Sequence, residues 1–244
     1  MKNVKLTVEY DGTLFYGWQR QKNDRSVQEE IEKALSKIMK KNVKINGSGR
    51  TDARVHGLRQ TANFREEFTI PIERIPIALN SILPDDIAVI NAELVDENFH
   101  ARYDAVGKKY VYKIYNGQHR SPLWRNYAYY VPGSLDLDKM RQASKAFVGT
   151  HDFIGFMASG SSVVDTVRTI YDLKIHKEGP LITIEVKGNG FLYNMVRIMV
   201  GTIVEVGKGK KSVNEIGPII ESKNRKSAGH TAPAQGLYLS KVYY

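Results

Sequence analysis

Residues 46–57 read Asn-Gly-Ser-Gly-Arg-Thr-Asp-Ala-Arg-Val-His-Gly, the densest polar cluster in the first half of the chain. Glycines there let the backbone approach a ligand closely, while Arg50, Asp52, Arg54 and His56 supply charge and proton-transfer groups, so the stretch reads as a loop. The plain alternative is an aspartate that bonds its own turn backbone. A dinucleotide-binding reading fails because Arg50-Thr51-Asp52 stands where a third glycine should open a helix. Residues 207–212, Gly-Lys-Gly-Lys-Lys-Ser, have the wrong spacing for a phosphate-binding loop and read as a solvated basic turn. A metal held by Asp52 and His56 would lack a third ligand nearby. Carboxylate chemistry remains. A nucleophilic or basic Asp52 must stay charged against a bound base, and a guanidinium within ~4–6 Å does that while fixing its direction. Arg50 is one candidate partner. Arg197 is the other, the one cation in the apolar stretch 191–206, where the alternative is an arginine reaching water along its own stem.

Aromatics interleave with cations in Lys108-Lys109-Tyr110-Val111-Tyr112-Lys113 and in Phe15-Tyr16-Gly17-Trp18-Gln19-Arg20. Unstacked bases lie on aromatic faces while lysine and arginine hold phosphates. Packing in a strand core is the competing role, and it suits one of Tyr110 and Tyr112. The charge agrees with a polyanionic partner: 36 Lys and Arg against 26 Asp and Glu leave +10, and nucleic acid is the polyanion that best fits.

The elements that must position these residues follow from periodicity. Val4, Leu6, Val8 and Tyr10 alternate as a half-buried strand, ended by Asp11-Gly12. Ser26 and Glu29 form a capping box before a helix carrying Val27, Ile31, Ala34, Leu35 and Ile38. Short strands at 43–45 and 60–64, a short helix with Pro76 near its first turn, and a strand at 87–94 complete a β-α-β-β-α-β order. The second half repeats it: a strand with Tyr110, Tyr112 and Ile114 on one face, a helix capped by Asp136 with Met140, Ala143 and Phe147, and strands at 167–175 and 181–186 about Glu178-Gly179-Pro180. A helix with Met195, Ile198, Met199, Ile203 and Val206 and a last strand at 237–243 close it. The fold class is α+β, two similar split β-α-β (ferredoxin-like) halves with adjoining, mainly antiparallel sheets and an active-site cleft between them. The expected domains are 1–105, carrying the loop, and 106–244. No cysteine, no secretory pattern at the N-terminus and no run of ~18 apolar residues point to the cytoplasm and away from a membrane.

Gly49-Arg50-Thr51-Asp52-Ala53-Arg54-Val55-His56 resembles the active-site signature of the tRNA pseudouridine synthase I, or TruA-type, family. The likeness continues through Tyr10-Asp11-Gly12, Phe15-Tyr16-Gly17-Trp18-Gln19, Phe99-His100-Ala101-Arg102, Lys109-Tyr110-Val111-Tyr112, His151-Asp152-Phe153, Phe191-Leu192-Tyr193-Asn194-Met195-Val196-Arg197, Ala232-Pro233 and Gly236-Leu237-Tyr238-Leu239. By position, the resemblance makes Asp52 the catalytic aspartate, Tyr110 a substrate-contacting tyrosine, Arg197 the arginine paired with the aspartate, and Arg50 a residue that handles the flipped base. Leu237 matches a residue that packs near that base. The family usually has glycine at the place of Arg54 and alanine at that of Gly57, so the Arg54 side chain must point out of the loop or towards RNA.

The resemblance implies isomerisation of uridine to pseudouridine in the anticodon stem-loop of tRNA, at its positions 38, 39 and 40, by a homodimer that shares the tRNA and uses no cofactor. Isomerisation breaks the glycosidic bond, turns the uracil and rejoins it through C5 without net redox or hydrolysis, so the chemistry calls for no nicotinamide, metal or nucleotide. The aspartate either adds to C6 of the base or acts at the ribose C1′, covalently or after glycal formation. Tyr110 stacks on or hydrogen-bonds the base and could assist removal of the C5 proton, although a phenol of pKa ~10 is a weak base unless tuned. A non-catalytic tRNA-binding or folding module with the same basic cleft is the alternative; an aspartate set among arginines weakens RNA binding unless it has chemical work.

Overall fold

The computed structural model describes residues 1–160 and 163–244, which divide into two compact units, 1–106 with 238–244, and 107–237.

In the first unit β1 (Lys2–Tyr10) leads to α1 (Val27–Met39), β2 (Asn46–Gly47), β3 (His56–Glu66), α2 (Ile75–Asn80) and β4 (Ile87–Val95). β1 runs antiparallel to both β3 and β4, with Val4 opposite Phe64 and Leu94. The alternation read from the sequence is the burial pattern: Val4, Leu6 and Val8 are fully buried and share a core with Val27, Ile31 and Leu35 of α1 and with Ile75 and Leu79 at α2. Ser26 caps α1 by accepting from the Glu29 N–H. The Glu29 carboxylate lies 3.2 Å from the ammonium of Lys33 one turn on, so an i,i+4 ion pair takes the place of the reciprocal half of the expected capping box. The strand expected at 43–45 is irregular; β2 starts at Asn46.

The second unit contains β5 (Gly107–Tyr115), β6 (Tyr129–Tyr130), α3 (Leu137–Lys145), β7 (Gly149–Asp152), β8 (Val167–Glu178), β9 (Leu181–Gly188), α4 (Met195–Gly207) and α5 (Ile216–Glu221). β9 pairs antiparallel with β5 and β8, and β8 with β7. Asp136 caps α3 by accepting from the Lys139 N–H, as its position before the apolar run predicts. Met140, Ala143 and Phe147 are buried, as are Ile198, Met199, Ile203 and Val206 of α4, and α3 packs beside α4. β6, β7 and α5 are additions to the order read from periodicity. Each is too short to show a period, and Pro218 lies inside α5.

The last strand, β10 (Leu237–Tyr243), closes the second half in sequence order, but it pairs in parallel with β3, Tyr238 opposite His56 and Leu239 opposite Gly57. Residues 238–244 therefore count with the first unit. Both units combine a mainly antiparallel sheet with packed helices, the α+β arrangement expected.

Candidate active site

The polar cluster 46–57 is a loop at its centre only. Asn46 and Gly47 form β2, and His56 and Gly57 begin β3. This corrects the expectation of a continuous loop, and the reason is long-range: Gly57 lies opposite Tyr10, and His56 opposite Tyr238.

Residues 48–55 are held from several sides. Ser48 N–H donates to the Thr61 carbonyl at 2.8 Å, its hydroxyl bonds the Gln60 side chain, and Gln60 Nε2 reaches the Gly49 carbonyl at 3.1 Å. The Tyr10 hydroxyl lies 2.8 Å from Thr51 Oγ1. Trp18 N–H donates to the Thr51 carbonyl and Arg54 N–H to the Phe15 carbonyl, each at 3.1 Å. The segment after β1 thus runs against the loop backbone to backbone, and two glycines allow it. A Cβ on Gly12 would lie 2.1 Å from the Val55 carbonyl oxygen, and one on Gly17, whose φ is +101°, 2.4 Å from that of Thr51. The two N-terminal motif blocks are accordingly the backing of the loop. The side of Gly57 is filled by the Tyr10 ring, 2.3 Å from where a Cβ would stand, which explains glycine at that position in this chain.

Val55 N–H closes a turn onto the Asp52 carbonyl at 3.1 Å. Asp52 is half-buried, and Arg50 and Arg54 on either side of it are exposed. Arg54 sits in the left-handed region at φ 65°, a conformation that favours glycine. Its side chain lies outside the loop, as expected, and neither guanidinium makes a hydrogen bond or ion pair with another side chain among the described residues. His56 is buried. Its Nδ1 accepts from the Gly12 N–H at 3.0 Å, lies 3.1 Å from Asp11 Oδ1, and its ring stacks on Tyr238 at 4.7 Å. The sequence offered His56 as a proton-transfer group; the structure gives it the work of tying β1, β3 and β10 together below the loop.

Tyr110 and Arg197 belong to the second unit. Tyr110 is buried on β5 and meets the Phe191 ring edge-on at 5.1 Å. Tyr112, two residues on, is buried as well, more deeply than Tyr110, so burial does not set one of the pair apart as the core residue; its hydroxyl donates to the Pro233 carbonyl at 2.6 Å. Burial holds its hydroxyl well above the usual phenol range despite the opposing charge of Arg197. Arg197 is half-buried, and its guanidinium is bonded within the protein rather than only reaching water along its stem. Its Nε donates to the Ala232 carbonyl at 2.7 Å and Nη1 to Asn194 Oδ1 at 2.6 Å. Asn194 precedes α4 in the left-handed conformation, φ 59°, which asparagine tolerates. In the sequence Asn194 stands out only as a member of the 191–197 block; its place three residues before Arg197 at a helix start is the signal for this contact. Leu237 is buried at the start of β10.

The chain matches the family described as tRNA pseudouridine synthase over residues 6–104 and 143–244, and it belongs to that family. It is 52% identical to the tRNA pseudouridine synthase A of Acetivibrio thermocellus and 50% identical to that of Thermoanaerobacter sp., in both cases over 244 residues and the full length of both chains. The tRNA pseudouridine synthase A of Bacillus pumilus is 50% identical over 99% of this chain and 98% of its own.

Proposed function

We propose that this protein converts uridine to pseudouridine in the anticodon stem-loop of tRNA, with Asp52 as the nucleophile. Tyr110, Arg50 and Arg197 contact the substrate, and the uridine is flipped out of its stack to reach the carboxylate. The observation that carries the reading is the loop itself. A half-buried carboxylate stands in a clamped turn between two exposed guanidiniums, Arg50 and Arg54, that have no side-chain partner among the described residues. Such cations lower the cost of bringing a polyanion to a carboxylate, and the clamp keeps the carboxylate where the base arrives. Leaving the stack costs a few kcal/mol, and stacking on an aromatic such as Tyr110 returns roughly 1–3 kcal/mol. In keeping with the family relation, the protein works as a cytoplasmic homodimer without a cofactor.

The test is Asp52→Asn in the full chain, incubated with unmodified tRNA transcripts. We expect tRNA affinity and melting temperature within error of the parent, with no release of tritium from C5-labelled uridine and no carbodiimide-reactive pseudouridine. Continued turnover would remove Asp52 from the mechanism. If the parent itself releases no tritium yet binds tRNA, the non-catalytic module is the correct reading; modification mapped outside the anticodon stem-loop would correct the substrate site.

A further inference from the structure

Residues 227–233 form neither helix nor strand, yet they lie against one face of α4. Arg197, Gly201 and Glu205 fall at i, i+4 and i+8, so they form one stripe along that helix. The stripe has a cation at one end, a gap in the middle and a carboxylate at the other end. The gap is required: a Cβ on Gly201 would stand 1.8 Å from the His230 carbonyl oxygen. At the cationic end, Ala232 N–H donates to the Arg197 carbonyl at 3.1 Å, and the Ala232 carbonyl receives Arg197 Nε. At the acidic end, Glu205 Oε1 accepts the His230 N–H at 3.0 Å and lies 3.0 Å from His230 Nδ1. The Gly229 N–H, just before His230, donates to Thr202 Oγ1 at 2.9 Å.

Other groups also face this clasp. Lys211 Nζ is 3.7 Å from Glu205 Oε2 and donates to the Ser227 carbonyl at 3.1 Å, the Tyr129 hydroxyl is 3.2 Å from His230 Nε2, and Arg225 donates to the Gly229 carbonyl at 2.9 Å and to Thr231 Oγ1 at 3.0 Å. Burial pushes the Glu205 carboxyl up, but the His230 side chain, the His230 N–H and Lys211 together pull it below its usual range.

A guanidinium oriented by a main-chain carbonyl is only as well placed as that carbonyl. Asn194 holds Nη1 of that guanidinium, but the Ala232 carbonyl that holds Nε sits in a segment with no ladder of its own. Arg225 bonds that segment at Gly229 and Thr231, and the charge-assisted bonds at Glu205 tie it to the helix itself. We infer that Glu205 and His230 are positioning residues for Arg197: through the strap they set the direction of its side chain, without touching substrate. This rests on the role proposed above for Arg197.

A double-mutant cycle in the full chain tests it, read as the single-turnover rate constant of pseudouridine formation on a tRNA transcript, with tRNA affinity and thermal melting measured alongside. Glu205→Gln is expected to slow the step about tenfold or more, the scale of a misplaced catalytic group, with tRNA affinity changed by less than about twofold. Arg197→Lys keeps the charge and removes the Nε bond to Ala232, so it is expected to be slow by itself. In that background Glu205→Gln should cost less than about a further twofold, because the strap has no guanidinium left to aim. His230→Ala leaves the backbone bond to Glu205 in place, should show the same non-additivity with a smaller loss, and carries the cycle if Glu205→Gln does not fold. Equal losses in both backgrounds, or a parental rate in the Glu205 and His230 variants beside a slow Arg197→Lys, would overturn the inference. A parental rate in Arg197→Lys would overturn the role of Arg197 itself, and the positioning claim with it.

Discussion

Arg54→Gly separates what the fold requires at the Asp52 turn from what the proposed substrate requires. A side chain at φ 65° costs about 1–2 kcal/mol, and glycine removes that cost. Against this, the added freedom of glycine in the unfolded chain costs about 0.4–1 kcal/mol. The Arg54 N–H keeps its bond to the Phe15 carbonyl in either case, and the exposed guanidinium gives up no side-chain bond among the described residues. The net expectation is a gain of about 0.5–1 kcal/mol, or roughly 1–4 °C in Tm for a chain of this size. The variant should nevertheless bind tRNA more weakly. Loss of one phosphate contact lowers the slope of log affinity against log salt by about 0.7–0.9, and affinity at low salt falls by more than at high salt. Differential scanning fluorimetry measures the first effect and filter binding between 50 and 200 mM salt, as an ~fourfold range, the second. Arg54→Lys, charged but still strained, should keep the slope without the thermal gain. A variant that melts below the parent, or one whose salt slope is unchanged, would refute the reasoning.

Other outcomes follow from the same geometry. If the parent neutralises about six phosphates, its tRNA affinity should fall by around 10³ between 50 and 200 mM salt on a duplex-like site, and less on a looped arm; a flat titration contradicts the electrostatic reading. Tyr112→Phe removes the donor to the Pro233 carbonyl and should cost about 1–3 kcal/mol by urea denaturation. Gly17→Ala places a methyl against the Thr51 carbonyl on a positive φ and should cost about 2–4 kcal/mol, with loss of pseudouridine formation. Glu205 has a depressed folded-state pKa, so its stabilising effect is complete above the ordinary glutamate range near ~4.3 and is lost as pH falls through the lower folded value. The stability difference between parent and Glu205→Gln should therefore shrink as pH falls below about 4; a difference that grows over that acid range would show the sign to be wrong.

Local signals carried much of the architecture. The period-2 run of β1, the serine and aspartate caps of α1 and α3, and the apolar stripe of α4 are set by residues within a turn or two of one another, and each element lies where its pattern put it. The misses are non-local. The sequence places a strand at 237–243 but does not tell which strand it joins, and its partner β3 lies in the first half of the chain; Leu237, Tyr238 and Leu239 are all buried, so no alternation marks a face. His56 and Gly57 look like loop residues until Tyr10 and Tyr238 are beside them. At the candidate site, Arg50 and Asp52 were legible because glycines and charges crowd one short stretch. The supports of Arg197 were less so: Ala232 acts through its carbonyl, which leaves no trace in side-chain chemistry, and His230 and Glu205 are joined only by the path of the strap.

The parallel pairing of β10 with β3 bears on how the protein is made. During synthesis the first hundred residues leave the ribosome well before the strand that completes their sheet, and until then β3 offers an open edge beside the turn that carries Asp52. The stacking of Tyr238 on His56 is therefore formed last, and a chain interrupted before residue 238 would lack the ring that covers His56 at the start of β3.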